Sequence, residues 1–227
     1  MGERVAIIAA LPRELALLIR GWSAQREHHH RGIFVWTRSN TVAVAAGMGE
    51  TRATLAVEAA LAHGDVTELW SVGVAGACDP ALAVGSAHHV GTVIDARTGE
   101  RFATVDGAGA VLVTTNMVAS VREKARLHAS YHAAMVDMEA ATVARLAGAR
   151  GLAFRAFKAV SDDHLFELGN MSRFTTRHGH FHTRAFALHT AVRPHTWART
   201  MRLGRHSQLA VRALTAMVEN ELGTRVR

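Results

Sequence analysis

Short apolar runs alternate with stretches of helical spacing along most of the chain. Residues 4–10, Arg-Val-Ala-Ile-Ile-Ala-Ala, form a run of the buried-strand kind. Residues 14–20 put Leu15, Leu18 and Ile19 on one face, which predicts a helix, and Pro12 suits its first turn. Residues 33–37 and 41–46 read as a hairpin joined through Ser39-Asn40. Gly47-Met48-Gly49 then turns the chain into an Ala- and Leu-rich helix over 50–63. A buried strand over 69–74 is expected to end in a small-residue turn, Gly73-Val74-Ala75-Gly76-Ala77. Further strands are predicted over 88–96, 110–114 and 152–160, with helices over 118–127 and 138–149. Strands alternating with helices argue for an α/β sheet protein rather than separate α and β domains.

Beyond Asp163 the periodicity weakens. Residues 164–204 carry Phe166, Phe174, Phe181, Phe186 and Trp197 among many arginines and histidines, and 206–222 read as a closing amphipathic helix. With no repeat or linker, residues 1–227 are expected to form one domain with an atypical Arg- and aromatic-rich segment at 164–204. The apolar fraction of 49% supplies a core, and 20% charged residues argue against disorder. A single cysteine, Cys78, excludes an intramolecular disulfide and points to a reducing, cytoplasmic setting. No apolar run approaches the roughly 18 residues of a membrane span. The net charge of +7, concentrated in the last third, invites a nucleic-acid reading. No nucleic-acid motif accompanies it, so arginine as the favoured surface base is the preferred reading, and nucleic acid is not expected as a partner.

Candidate chemistry gathers at element ends. Glu14 follows the first strand, Glu139 opens a helix and Asp162 closes a strand. Carboxylates are rarely placed in apolar surroundings without a partner or a use. Ligands collect at the carboxyl ends of strands in sheets of this type. Each residue also has a plain reading: a solvated helix face, a helix N-terminal charge and a turn cap. The glycine turns are neither a Walker loop nor a dinucleotide fingerprint. His28-His29-His30 reads as a solvated turn. His178, His180 and His182 alternate, but a surface or subunit contact is preferred there to a metal. Cys78 has no local base and reads as packing. No metal and no cofactor are expected.

At these residues the chain resembles the purine nucleoside phosphorylase and nucleosidase superfamily, the branch of the 5′-methylthioadenosine/S-adenosylhomocysteine nucleosidases in particular. The resemblance rests on residues 7–14 ending in Leu11-Pro12-Arg13-Glu14, on Gly47-Met48-Gly49, and on residues 73–80 with Val84-Gly85. Above all it rests on Val136-Asp137-Met138-Glu139-Ala140 and Ala159-Val160-Ser161-Asp162. It implies a three-layer α/β/α fold around a distorted mixed central sheet, in a homo-oligomer, with a dimer favoured. It implies cleavage of the N-glycosidic bond of a purine nucleoside, as in nucleoside metabolism and methionine salvage. On that resemblance Asp162 protonates or hydrogen-bonds purine N7 and Glu14 activates water. Glu139 holds the ribose hydroxyls with Met138 against the sugar. Met117, Val118, Ala75 and Gly76 line the substrate pocket.

Water or phosphate is the co-substrate. Phosphorolytic relatives carry an arginine and a serine around the Gly73 loop, where this chain has Ser71 and Val74. Hydrolysis is therefore favoured, with Arg13 or Arg52 as the cations that would argue otherwise. Residues 164–204 depart from the compact enzymes, and Leu165, Phe166, Met171 and Phe174 directly follow Asp162. A lid that admits a bulky apolar 5′ group, such as a hopanoid-linked adenosine, is one alternative. A non-catalytic binder, with salt-sensitive affinity and no base release, is another.

Overall fold

The structure, a computed structural model, describes residues 4–25, 29–167 and 197–225. Among them a mixed sheet runs in the order β10-β6-β8-β9-β5-β1-β4-β3-β2, with β7 on β6. Its strands are β1 (Arg4–Ala9), β2 (Ser23–Gln25), β3 (Phe34–Arg38), β4 (Thr41–Ala45), β5 (Val66–Ala77), β6 (Ala87–Asp95), β7 (Arg101–Ala103), β8 (Ala110–Thr114), β9 (Met135–Asp137) and β10 (Ala153–Asp162). The helices are α1 (Pro12–Leu15), α2 (Glu50–Leu61), α3 (Val121–Tyr131), α4 (Ala140–Ala149) and α5 (Trp197–Arg225). β5 also pairs with β10, so β5, β10, β6, β8 and β9 close a circuit of pairings at one side of the sheet. This closure is the distortion of the central sheet.

Alternation along the strands builds the three layers. Ala6 and Ile8 of β1 face α2 and α4, in a core with Val57, Ala60, Val143 and Ala147. Ile7 and Ala9 face the other way, packing with Leu15, Trp70 and Phe157 against Ala210, Leu214 and Val218 of α5. A smaller cluster seats α3 through Leu127 against Ile94 and Val113.

Two expectations need correction. The glycine run after residue 72 is strand, not turn: Gly73, Val74, Ala75 and Gly76 pair with Lys158, Ala159, Val160 and Asp162 of β10. Gly76 pairs with Val136 of β9 as well. Small residues here make room for side chains beside the strand. A Cβ at Gly73 would lie 3.3 Å from a Glu14 oxygen, and one at Gly76 would lie 3.0 Å from Asp162 Oδ2. The helix predicted over 14–20 is also shorter. Regular helix ends at Leu15, and turns bonded from Ile19 N to Leu15 O and from Trp22 N to Ile19 O follow, closed by Gly21 at φ 76°. The apolar face still does its work, since Leu15 and Leu18 are buried.

Other differences are matters of boundary. α3 starts at Val121, after Ser120, whose hydroxyl accepts from Glu123 N at 3.2 Å. Residues 138–139 precede α4 rather than open it, and α5 extends the closing helix back to Trp197. Gly47 and Gly49 do form the expected turn, at φ 119° and 85°. Met171, Phe174 and the alternating histidines 178, 180 and 182 lie outside the described residues.

Candidate active site

β1, β5 and β10 are parallel, so their carboxyl ends share one edge of the sheet. A cavity of about 150 Å³ opens there. Its wall includes Glu14, Glu139, Asp162, Met138, Met117, Val118, Ala75 and Gly76, so the structure brings together the eight residues singled out in the sequence. Lys124, Asp137, Ser161 and Ser207 join them, Ser207 from α5. Met117 is 67% exposed and stands on the rim, and Leu165, 68% exposed, is a free apolar side chain just past Asp162.

Each carboxylate is held differently. Glu14 is buried just after β1, and its oxygens accept from Leu11 N at 2.8 Å and Val74 N at 3.3 Å. Folding back onto the backbone in this way fixes its direction. Glu139 lies immediately before α4 and accepts from Gly49 N at 2.7 Å and Met138 N at 3.3 Å. The Gly47-Met48-Gly49 turn therefore cradles a side chain of the protein. Asp162 ends β10, with Oδ1 accepting from the Ser161 hydroxyl at 2.6 Å and Oδ2 ion-paired with Lys124.

Glu14 and Glu139 both act electrostatically on Lys158. The Lys158 ammonium is buried, 2.9 Å from Asp137 Oδ2, and donates to the Ser71 hydroxyl at 3.1 Å. Burial works to lower its pKa, but Asp137, Glu139 and Glu14 outweigh this and hold it above the usual lysine value. Asp137 also accepts from Thr114 Oγ1 at 2.7 Å and from Ala140 N at 3.0 Å, which ties β8 and the start of α4 to the cavity floor. Three carboxylates thus share Lys158. Burial first, then the Asp137 charge, push Glu139 up to about 8, against the pull of Lys158 and the Gly49 amide. Such a region favours a positive charge arriving from outside.

A stability prediction follows from Glu139. An ordinary glutamate ionises near 4.5, whereas the folded chain holds this proton to about 8. Between those pH values the native state binds more protons than the unfolded state, so stability falls as pH rises through the window. Above about 8 the cost is complete. Glu139→Gln should therefore stabilise the empty protein at pH 8.5 by roughly a few kcal/mol, with the gain shrinking towards pH 4.5. Urea denaturation at both pH values checks this.

Ser71 and Arg52, weighed in the sequence as anion ligands, are otherwise engaged. Ser71 is buried against Lys158. The Arg52 guanidinium donates to the carbonyls of Ala46, Arg31 and Gly32, the last two at 3.0 and 2.9 Å. It is a backbone staple. Arg13 remains on the cavity wall as an exposed cation. Cys78 is buried and its thiol is pushed up to about 12 by burial, which fits packing.

Lys158, Lys124, Asp137 and Ser161 carried no assigned role in the sequence reading. Lys158 had a visible signal, a lysine flanked by Ala156, Phe157, Ala159 and Val160. Lys124 had none, because in Arg-Glu-Lys-Ala-Arg it looks like one more solvated helix cation.

The sequence matches the model of the Phosphorylase superfamily over residues 4–105 and 95–192. The chain belongs to this superfamily. A search of curated proteins gives no match. Among solved structures, this superfamily member is similar to a Helicobacter pylori MTAN mutant with 5′-methylthioadenosine in its active site, at 14% identity and a TM-score of 0.69 over 97% of this chain and 100% of that one. It is similar to the Neisseria meningitidis 5′-methylthioadenosine/S-adenosylhomocysteine nucleosidase in complex with methylthio-immucillin-A, at 17% identity and a TM-score of 0.69 over 96% and 97%. The native futalosine hydrolase of H. pylori is similar at 18% identity and a TM-score of 0.67 over 96% and 98%. At these identities the likeness is one of fold.

Proposed function

We propose that the chain is a purine nucleosidase that hydrolyses the N-glycosidic bond of an adenine nucleoside of the 5′-methylthioadenosine or S-adenosylhomocysteine kind. The observation that carries this reading is the convergence of Glu14, Glu139 and Asp162, from three separate regions of the chain, on one cavity. Structures of similar fold that hold 5′-methylthioadenosine or methylthio-immucillin-A support the ligand class.

Breaking the ribosyl C–N bond builds positive charge on the sugar and negative charge on the base. Glu14 and Glu139, with one lysine among three acidic side chains, suit the sugar end. Glu14 takes the proton of the attacking water, and Glu139 accepts from the ribose hydroxyls beside Met138. Asp162 supplies the proton at purine N7, so the base leaves neutral. Met117 and Val118 line the base end of the cavity with Ala75 and Gly76.

Phosphorolysis is the second reading, and Arg13 on the cavity wall is the observation in its favour. Ser71 and Arg52 are already committed within the protein, which supports water as the nucleophile. The test is incubation with a panel of purine nucleosides, with and without inorganic phosphate, and chromatography of the products. Equal release of free base in both is expected. A rate that requires phosphate, with sugar 1-phosphate as product, would replace hydrolysis by phosphorolysis.

A further inference from the structure

We propose that Lys124 is a positioning residue that fixes Asp162 and feeds it the proton delivered to the leaving base. The proposal rests on the nucleosidase reading. Lys124 reaches from α3 to the cavity wall with 1% of its side chain exposed, and Asp162 is 2% exposed. The ammonium donates to Asp162 Oδ2, to the Asp163 carbonyl at 2.8 Å and to the Phe166 carbonyl at 3.4 Å. Its three N–H bonds are thereby used. Ser161 fixes the second carboxylate oxygen, so Asp162 is held from two sides. A Cβ at Gly76 would sit 3.0 Å from both Asp162 Oδ2 and Lys124 Cε. β5 lacks a side chain at Gly76, where this pair passes it.

Stability alone is a weak reason for the pair. A buried ion pair roughly breaks even against apolar side chains of similar volume. As a proton store it has a use, because a carboxylate and an ammonium in contact hold one transferable proton. Neighbouring ionisable groups leave this proton undisputed. Glu123, next on α3, is paired with Arg126. Glu167, on the segment after β10, accepts from Val121 N at 3.2 Å. Asp163 turns its side chain to Leu165 N at 2.9 Å, and the Cys78 thiol is held protonated by burial.

The step balances. The C1′–N9 bond breaks with its electron pair going to the purine, and N7 takes a proton from Asp162. That proton reaches the Asp162 carboxylate from Lys124, which is left as a neutral amine beside an ionised Asp162 and is recharged from solvent once the base departs. Water forms the new O–C1′ bond and gives one proton to Glu14, which releases it to solvent before the next turnover. One water enters, and a ribose and a neutral base leave.

The test compares wild type, Lys124→Gln and Lys124→Arg on two substrates. One is an adenine nucleoside. The other is p-nitrophenyl β-D-ribofuranoside, whose leaving group departs without a proton. We expect both variants to lose about 10²-fold in kcat on the nucleoside, with KM little changed, and less than about 10-fold on the nitrophenyl riboside. Arginine preserves the charge but does not release a proton, so its loss separates proton feeding from simple pairing. Lys124→Ala should in addition be rescued by methylammonium in the assay. Equal losses on both substrates, a wild-type rate for Lys124→Arg, or a change in KM alone would overturn the proposal. Wild-type protein that releases no base from any nucleoside would instead overturn the nucleosidase reading.

Discussion

Asp162→Asn lowers the rate of base release by about 10²–10⁴-fold with little change in KM. Asparagine keeps the volume of the side chain at the end of β10 and can still accept from Ser161, but it has no acidic proton for the base. It also leaves Lys124 buried without a counterion, at a cost of about 3–5 kcal/mol. Activity must therefore be compared at a temperature where the variant is folded. Asp162→Asn combined with Lys124→Gln should recover much of the stability and none of the activity, since removing both charges ends the imbalance. A kcat within about 10-fold of wild type in Asp162→Asn would remove Asp162 as the acid.

Lys158→Met destabilises the protein by about 3–5 kcal/mol. Among the described residues Lys158 is the one cation ion-paired with Asp137, and its field also reaches Glu139 and Glu14. Methionine fills a similar space but leaves Asp137 charged at the cavity floor. Asp137 binds β8 and the start of α4, so the damage reaches the scaffold as well as the site. Urea denaturation should show a lower midpoint with an unchanged slope. Asp137→Asn added to Lys158→Met should restore part of the loss. A single variant within 1 kcal/mol of wild type would mean that water or rearrangement replaces Lys158.

Much of this architecture was legible in the sequence, because apolar runs and helical spacing report directly on burial. β1, β4, β8 and α2 fall within a residue or two of the segments so read. β2, β7 and β9 escaped, since three-residue strands are too short to show a period. The glycine run was misread for a physical reason. Glycine marks both turns and close approach, and only coordinates reveal the Glu14, Asp162 and Lys124 side chains crowding β5. The carboxylates of the cavity could be named because acids at element ends are conspicuous. Their partners could not all be named. Lys124 acts across α3, the end of β10 and the segment beyond it, a contact between distant residues that no local pattern records.

The central claim is that Glu14, Glu139 and Asp162 act on one nucleoside with water as the nucleophile. A single turnover in ¹⁸O-labelled water, with phosphate removed, tests it most directly. Free purine base and a ribose carrying the label at its anomeric carbon are the result this account predicts. Intact nucleoside after many protein equivalents, or cleavage that appears only when phosphate is restored, would contradict it.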